Sequence, residues 1–278
     1  MAAPGARVGD ALSAAIDALA AAGVDTPRLD AEVLLAELSG FGRAALIADP
    51  DRELEPAVAR AFSEAVRRRL RREPVAYILG RKGFRHIDLE VDGRVLVPRP
   101  ETEMLVELAL EADPARVLEI GTGSGAIALA VADELAGVEV LATDVSDGAI
   151  EVAVGNANRL GLSGRVSFEL ASVPAGPAAF DLILANLPYV PDRDGLPPEV
   201  GEWEPGGALF GGPDGTDVIR RVLGDLNESQ IVAPVIGLEI GRGQGETVAA
   251  MVREAGWADT EIRLDLAGID RVVVGRGA

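Results

Sequence analysis

The first 80 residues carry apolar positions at helical spacing and no alternating pattern of the kind that strands show. Asp10 is expected to cap the first of three helices, and Pro27 and Pro56 are expected to begin the other two. The third helix ends in the arginine run Arg67–Arg72, which we interpret as a solvated helix face, with a docking face for an acidic partner as the alternative. The pattern predicts a small helical bundle over residues 1–80.

Apolar and polar residues alternate over residues 83–97. Ile87, Leu89 and Val91 fall on one face, and the dipeptide Asp92–Gly93 is typical of a tight turn. Residues 81–99 are therefore predicted to form a hairpin that links two domains.

From Pro100 onward, short apolar runs alternate with amphipathic helical segments. The predicted strands are Val117–Ile120, Val138–Thr143, Val166–Leu170, Phe180–Ala185, Val235–Ile240, Ile262–Leu266 and Arg271–Val274. The predicted helices are Ala126–Leu135, Gly148–Leu160, Asp217–Leu226 and Glu246–Ala255. This order predicts an α/β domain over residues 100–278, with a mainly parallel sheet covered on both faces. The last two strands have no helix between them, which predicts an antiparallel pair at the edge of the sheet.

Composition narrows the chemistry that this fold can carry. The 278 residues include no cysteine, which excludes thiolate catalysis and Cys-based metal sites. The single histidine, His86, leaves His-rich metal sites with almost no ligands. The net charge of −19 argues against an extended contact with nucleic acid, because an acidic surface repels phosphates. No segment near the start is long and apolar enough to span a bilayer. We therefore expect a soluble cytoplasmic protein that binds no metal, no membrane and no nucleic acid directly.

A glycine-rich run follows the first strand of the α/β segment. The run Glu119–Gly125 lies at the carboxyl end of that strand, where open α/β sheets bind their ligands. Asp144 ends the next strand, where its carboxylate can accept both hydroxyl groups of a ribose. The dinucleotide pattern fits this loop only loosely. An acidic residue two positions before G-x-G-x-G is typical of S-adenosylmethionine (SAM) methyltransferases, and the run fits that pattern better.

The tetrapeptide Asn186–Tyr189 directly follows the predicted strand Phe180–Ala185. Methyl transfer to an amide or arylamine nitrogen is difficult because the lone pair is delocalised, and a base is of little use because the N–H is a very weak acid. Two hydrogen-bond acceptors help instead, since they orient the nitrogen and stabilise its growing positive charge. The side-chain carbonyl of Asn186 and a backbone carbonyl near Pro188 can serve, and the Tyr189 ring can stack on a planar amide or base.

Motifs spread over most of the chain add a resemblance to a known family. They are Thr26–Leu35, Arg72–Gly80, Val97–Glu103, Glu204–Leu209, Gly212–Gly215 and Leu238–Gly241. On these motifs the chain resembles the HemK/PrmC protein-(glutamine-N5) methyltransferases, which modify peptide chain release factors. The segment Pro98–Glu103 is the most specific of them, and the glycine loop is the least.

The resemblance implies a seven-stranded, Rossmann-like SAM methyltransferase sheet with a small N-terminal bundle of five helices that recognises the release factor. It implies methylation of the glutamine in a Gly-Gly-Gln motif, with S-adenosyl-L-homocysteine as the second product, and we expect a monomer. The implied cofactor-binding residues are Glu119, Gly121, Thr122, Gly123, Ser124, Gly125, Asp144, Val145, Ser172, Val173 and Asn186. The implied substrate-binding residues are Asn186, Leu187, Pro188 and Tyr189, and Asn186, Pro188 and Tyr189 are also the implied catalytic residues.

The sequence departs from the family pattern in three places. Leu187 replaces a proline, and Asn-Leu-Pro-Tyr also occurs in rRNA adenine dimethylases. The segment Ala171–Val173 replaces Gly-Asp and a bulky residue near the adenine, and Arg85 replaces an aromatic residue. Three alternatives therefore stay open: a nucleic-acid adenine N6-methyltransferase, a ribosomal-protein glutamine methyltransferase, and a SAM-binding interaction protein without catalysis.

Overall fold

The computed structural model describes residues 6–277, which divide into two compact units. The first unit contains the described residues up to Gly80 together with Pro197–Trp203, and the second contains Arg81–Leu196 and the chain from Glu204 onward. The predicted ranges 1–80 and 100–278 include residues 1–5 and 278, which lie outside the described residues. The division differs from the predicted one in two respects. Residues 81–99 are part of the second unit rather than a separate linker, and 197–203 join the first.

Five helices of the first unit precede Gly80 among the described residues: α1 (Val8–Ala21), α2 (Pro27–Ser39), α3 (Arg43–Ala48), α4 (Pro56–Leu70) and α5 (Val75–Leu79). Their apolar faces share one core around the fully buried Leu19, Leu34 and Leu35. The helices α3 and α5 were not predicted, since five or six residues are too few for a periodic signal. Asp10 does not cap α1, which begins at Val8 and places Asp10 in its first turn.

The arginine run Arg67–Arg72 is not a uniformly solvated face, so that interpretation was wrong. Arg69 is only 4% exposed, because it follows Phe62 and Ala65 at helical spacing on the buried face of α4. Its guanidinium donates to Asp30 Oδ2 at 2.6 Å and to Glu199 Oε1 at 2.9 Å. Burial alone would raise the pKa of Glu199, but hydrogen bonds from the arginines lower it to about 2.

The second unit begins with a hairpin of β1 (Arg81–Phe84) and β2 (Ile87–Glu90). The hairpin turn was predicted at Asp92–Gly93, and it lies instead at residues 85 and 86. A turn does form at Asp92–Gly93, where Val95 N–H donates to Asp92 O at 3.1 Å, but it follows the hairpin. Arg85 adopts a positive φ of 50° there, and its guanidinium donates twice to Glu134, at 2.7 and 2.8 Å. This ion pair within the second unit gives the departure at position 85 a structural role. The fully buried Leu89 and the hydrogen bonds between Asn156 and the Glu90 backbone join the hairpin to the rest of the unit.

A seven-stranded sheet forms the centre of the second unit and confirms the predicted α/β fold. Its strands are β3 (Arg116–Ile120), β4 (Glu139–Asp144), β5 (Val166–Leu170), β7 (Leu182–Ala185), β9 (Val235–Glu239), β10 (Asp259–Leu264) and β11 (Asp270–Arg276). The spatial order is β10-β11-β9-β7-β3-β4-β5. Strand β11 is antiparallel to both its neighbours, β10 and β9, and the strands from β9 to β5 in this order pair in parallel. The short strands β6 (Ala178–Ala179) and β8 (Ile231–Val232) form a separate parallel pair. The predicted antiparallel pair at the edge is confirmed.

The sheet is packed with helices α6 (Glu103–Ala112), α7 (Ala126–Glu134), α8 (Asp147–Leu160), α10 (Asp217–Glu228) and α11 (Gly245–Glu254), while the one-turn α9 (Pro198–Gly201) belongs to the first unit. The sequence predicted α7, α8, α10 and α11 to within two residues at each end, and it missed α6. Strand β3 lies between β4 and β7. The chain runs from β3 to one side, through β4 and β5, and then returns to the other side of β3 at β7, so the direction of the strand order reverses at β3. Such a point opens a crevice at the carboxyl ends of the strands.

Within residues 6–277, no helix combines the length and apolar character that a membrane span requires.

Candidate functional site

The glycine loop, Gly121–Gly125, closes the carboxyl end of β3 and leads into α7. Gly121, Gly123 and Gly125 all have positive φ, at 76°, 55° and 83°, a conformation that side chains other than glycine disfavour. The N–H groups of Gly121 and Thr122 both donate to Thr143 O, at 2.8 and 3.0 Å, which fixes the loop against β4. The tight turn leaves the backbone of the loop at the crevice.

Glu119, two positions before the loop, is a carboxyl group buried to 1% exposure. Its Oε2 accepts hydrogen bonds from Thr122 Oγ1 at 2.7 Å and from Ala128 N–H at 3.1 Å. Its Oε1 is buried without a hydrogen-bond partner. Burial, helped by the charge of Asp144, raises the pKa of Glu119 to about 8, although the two hydrogen bonds lower it. An unsatisfied buried acceptor of this kind suits a ligand that brings a cationic donor.

Asp144 ends β4 beside the glycine loop. Its two carboxylate oxygens accept hydrogen bonds from Gly123 N–H and Ser146 N–H, both at 2.9 Å. Each oxygen keeps a second lone pair, so the carboxylate can still accept from the hydroxyl groups of a ribose. Val145, the next residue, leaves 76% of its surface exposed and presents an apolar side chain at the same place.

The tetrapeptide Asn186–Tyr189 continues from β7. Asn186 Nδ2 donates to Thr102 Oγ1 at 3.1 Å. Tyr189 OH donates to Glu239 Oε1 at 3.1 Å, and Gln244 Nε2 donates to the backbone carbonyl of Tyr189 at 3.0 Å. Burial, and next the charge of Glu239, raises the pKa of Tyr189, so its hydroxyl is a donor at neutral pH.

Glycines explain how the segment 211–215 supports the tetrapeptide. A Cβ on Gly211 would lie 2.4 Å from the carbonyl oxygen of Pro188, and a Cβ on Gly215 would lie 2.1 Å from that of Tyr189. Both distances are far below van der Waals contact. Only glycine therefore lets this segment pack directly on the backbone of the tetrapeptide.

A cavity of about 350 Å³ within the second unit brings most of the predicted residues together. Its walls include the predicted cofactor residues Glu119, Gly121–Ser124, Asp144, Val145, Ser172 and Asn186, together with Leu187 and Pro188. Three predicted residues, Gly125, Val173 and Tyr189, do not line it. Gly125 lies at the start of α7, and Val173 packs against the apolar core instead.

The departures at Leu187 and Ser172 are accommodated by local packing. Leu187 is 5% exposed and belongs to the apolar core, and its Cδ2 lies 3.3 Å from the position of a Cβ on Gly121. Ser172 Oγ donates to Asp225 Oδ2 at 2.8 Å, and the backbone carbonyl of Ser172 accepts from Thr143 Oγ1 at 3.2 Å. Both residues therefore line the cavity while they are held by contacts within the second unit.

Sequence reasoning missed several residues of the cavity wall, among them Arg94, Arg99, Thr102, Pro205 and Arg221. Arg99 and Thr102 belong to the segment Pro98–Glu103, which the sequence marks as a motif without indicating a role. The structure supplies one: Arg99 pairs with the buried Glu204 at 2.5 Å, and Thr102 holds Asn186.

Comparisons with known proteins agree with this architecture. Residues 10–80 match the family model of the PrmC N-terminal domain, and residues 112–210 match that of a methyltransferase domain. The release factor glutamine methyltransferase of Geobacter sulfurreducens is 42% identical over 264 residues, which cover 93% of this chain and 92% of that protein. The protein of the same name from Rhodospirillum rubrum is 40% identical over 266 residues, which cover 93% and 81%.

Among solved structures, the hMettl16 catalytic domain in complex with MAT2A 3′UTR hairpin 6 superimposes with a TM-score of 0.54. It is 15% identical and covers 68% of this chain and 76% of that one. A likeness at this identity concerns the fold, and it confirms the methyltransferase architecture of the second unit. With relatives at about 40% identity over nearly its whole length, the chain belongs to the release factor glutamine methyltransferases, a family of SAM-dependent enzymes.

Proposed function

We propose that this protein methylates the side-chain amide nitrogen of the glutamine in the Gly-Gly-Gln motif of peptide chain release factors. One observation carries the proposal. Asn186, whose side chain is hydrogen-bonded through its Nδ2, lines the same cavity as the buried Glu119 and the carboxylate of Asp144. The relatives named release factor glutamine methyltransferase support the choice of substrate.

The residues of the cavity fit SAM. The unpaired Oε1 of Glu119 is an acceptor for the ammonium group of the methionine part, and Asp144 is an acceptor for the ribose hydroxyls. The positive φ values of the glycine loop let its backbone approach a ligand closely. When bound, SAM supplies an electrophilic methyl group for direct SN2 transfer, and S-adenosyl-L-homocysteine is the product.

Asn186 is the residue that holds the glutamine amide. Its Nδ2 is engaged by Thr102, which leaves Oδ1 as an acceptor for one N–H of the substrate. A backbone carbonyl near Pro188 accepts the second N–H. Two acceptors in the plane of the amide direct the nitrogen lone pair out of that plane and stabilise the positive charge that grows on it. No proton needs to leave before the methyl group is transferred.

Tyr189 contributes in a different way from the stacking that its sequence position suggested. Its hydroxyl is bonded to Glu239, and its backbone carbonyl is bonded to Gln244. The residue does not line the cavity, so we assign it to holding the tetrapeptide in place.

A comparison of three methyl acceptors, each tested separately, distinguishes this function from the alternative methyltransferase activities. Purified protein is incubated with labelled SAM and one of three acceptors: a release factor, total ribosomal protein, or DNA and RNA that contain adenine. We expect label in the release factor alone. The net charge of −19 opposes binding to the phosphate backbone of nucleic acid, and the relatives named release factor glutamine methyltransferase favour the release factor over ribosomal protein. Label in nucleic acid or ribosomal protein and none in the release factor would overturn the proposal.

A further inference from the structure

Thr102 occupies the position that caps α6, but its side chain does not cap the helix. The hydroxyl makes no hydrogen bond to the first N–H groups of α6, because the backbone of Thr102 is itself helical, with φ −63° and ψ −21°, and ends a 3₁₀ turn over Pro100–Thr102. Thr102 is 4% exposed, and its hydroxyl accepts a hydrogen bond from Asn186 Nδ2 instead. The oxygen of the hydroxyl therefore bonds to the tetrapeptide rather than to the start of α6.

Glu239 lies at the same level of the sheet as Asn186. The register of the parallel strands β7 and β9 pairs Ala185 with Leu238, so the next residue on each strand is Asn186 and Glu239. Glu239 is 1% exposed, and its Oε1 accepts from Tyr189 OH. Its Oε2 is buried with no hydrogen-bond partner, and the Thr102 hydroxyl lowers the pKa of the carboxyl group.

These contacts decide which way the Asn186 amide faces. A hydroxyl group can donate as well as accept, so Thr102 alone would tolerate either Nδ2 or Oδ1 of Asn186. A carboxylate beside Thr102 attracts the hydroxyl proton, since a carboxylate only accepts. The threonine oxygen can then only accept from Asn186, which selects Nδ2 and leaves Oδ1 for the substrate.

We propose that Thr102 and Glu239 are positioning residues that orient the Asn186 amide, Thr102 by direct contact and Glu239 through the Thr102 hydroxyl. The inference rests on the proposed function of Asn186 as the acceptor of the glutamine N–H. Glu239 has a second effect, since its bond to Tyr189 holds the last residue of the tetrapeptide.

The test compares Thr102→Val, which keeps the shape and removes the hydroxyl, with Thr102→Ser, which keeps the hydroxyl. For Thr102→Val we expect kcat on a release factor to fall by about 100-fold, the loss that a misplacement of about 1 Å can cause, with the SAM dissociation constant unchanged. Thr102→Ser should recover most of the rate. Thr260→Val is the control, because Thr260 on β10 also accepts one hydrogen bond, from Arg253, and lies outside the cavity. A kcat of Thr102→Val equal to that of the control would overturn the role of Thr102.

Glu239 is tested by the pH profile of kcat. Burial raises the pKa of Glu239 to about 7; nearby Glu101 also raises it, whereas Thr102, Tyr189 and Arg271 lower it. We expect wild-type kcat to increase with pH through about 7, as the carboxylate becomes a pure acceptor. The Glu239→Gln variant should be slower and lack this rise. An unchanged profile in Glu239→Gln would overturn the role of Glu239.

A structural measurement separates this inference from the proposed function. Side-chain N–H signals of Asn186 are followed by NMR in the wild type and in Thr102→Val, without any methyl acceptor. Loss of the Thr102 contact should make the Asn186 amide protons exchange faster with solvent. Equal exchange rates would overturn the inference even if release factors are methylated. Faster exchange would support it even if the acceptor proves to be another molecule.

Discussion

Glu119 carries a proton in the folded protein at pH values where the unfolded chain has lost it. The carboxyl group is 1% exposed, and burial raises its pKa from the ordinary 4.5 to about 8. Between those values the folded second unit binds one proton more than the unfolded chain does. Its stability therefore decreases as the pH rises from about 4.5 to about 8, by up to about 1.4 kcal/mol per pH unit.

The variant Glu119→Gln removes this dependence and keeps the size of the side chain. The Gln carbonyl can accept the hydrogen bonds that Thr122 and Ala128 donate to Glu119 Oε2. From pH 5 to pH 8, the variant should gain about 3 kcal/mol of stability relative to the wild type. Glu239, with a pKa raised to about 7, contributes a dependence of the same sign to both proteins, so it cancels in the difference.

Urea unfolding of the apo protein at several pH values measures the effect. Trp203 belongs to the first unit and Trp257 is buried in the core of the second, so a Trp203→Phe background makes fluorescence report on the second unit alone. The exposed Glu254→Gln serves as the control for removing a negative charge. If Glu119→Gln and the wild type differed by the same free energy at pH 5 and pH 8, Glu119 would be ionised in the fold, and burial would not control its pKa.

Two further predictions concern the same site. SAM binding should release nearly one proton at pH 7, because an ammonium group beside Glu119 favours the ionised form of that carboxyl group. Calorimetry in buffers of different ionisation enthalpy measures the number of protons released, and the Glu119→Gln variant should release none. Gly215→Ala should destabilise the second unit by about 2–4 kcal/mol, because its Cβ would lie 2.1 Å from Tyr189 O and its φ is 77°. Gly224→Ala, in the middle of α10 with no atom near its Cβ position, should instead be neutral or stabilising in urea unfolding.

The elements that the sequence predicted well are those with strong local signals. The strands and the glycine loop of the second unit were predicted because short apolar runs and glycines fix their local conformation. The hairpin turn was misplaced because Asp92–Gly93 is a strong turn signal. The actual turn, at Arg85, depends on an ion pair with Glu134, which is distant in sequence.

In the candidate site, too, residues with a local sequence signal could be predicted, whereas contacts between residues distant in sequence could not. The residues that line the cavity at strand ends, such as Asp144 and Asn186, could be predicted because parallel strands bring their carboxyl ends together. The roles of Thr102 and Glu239 could not, since they depend on which side chains meet after α6 and β9 are packed. The burial of Arg69 was missed for a similar reason: its partner Glu199 lies 130 positions further along the chain.

The proposed methylation of release factors is tested most directly by mass spectrometry of a release factor that has been incubated with this protein and SAM. Fragmentation of the peptide that contains Gly-Gly-Gln should show the mass of one added methylene on the glutamine side chain. The Asn186→Ala variant should still bind SAM and leave that peptide unmodified. An unmodified glutamine with the wild-type protein would contradict the proposed activity, and full methylation by Asn186→Ala would contradict the role of Asn186.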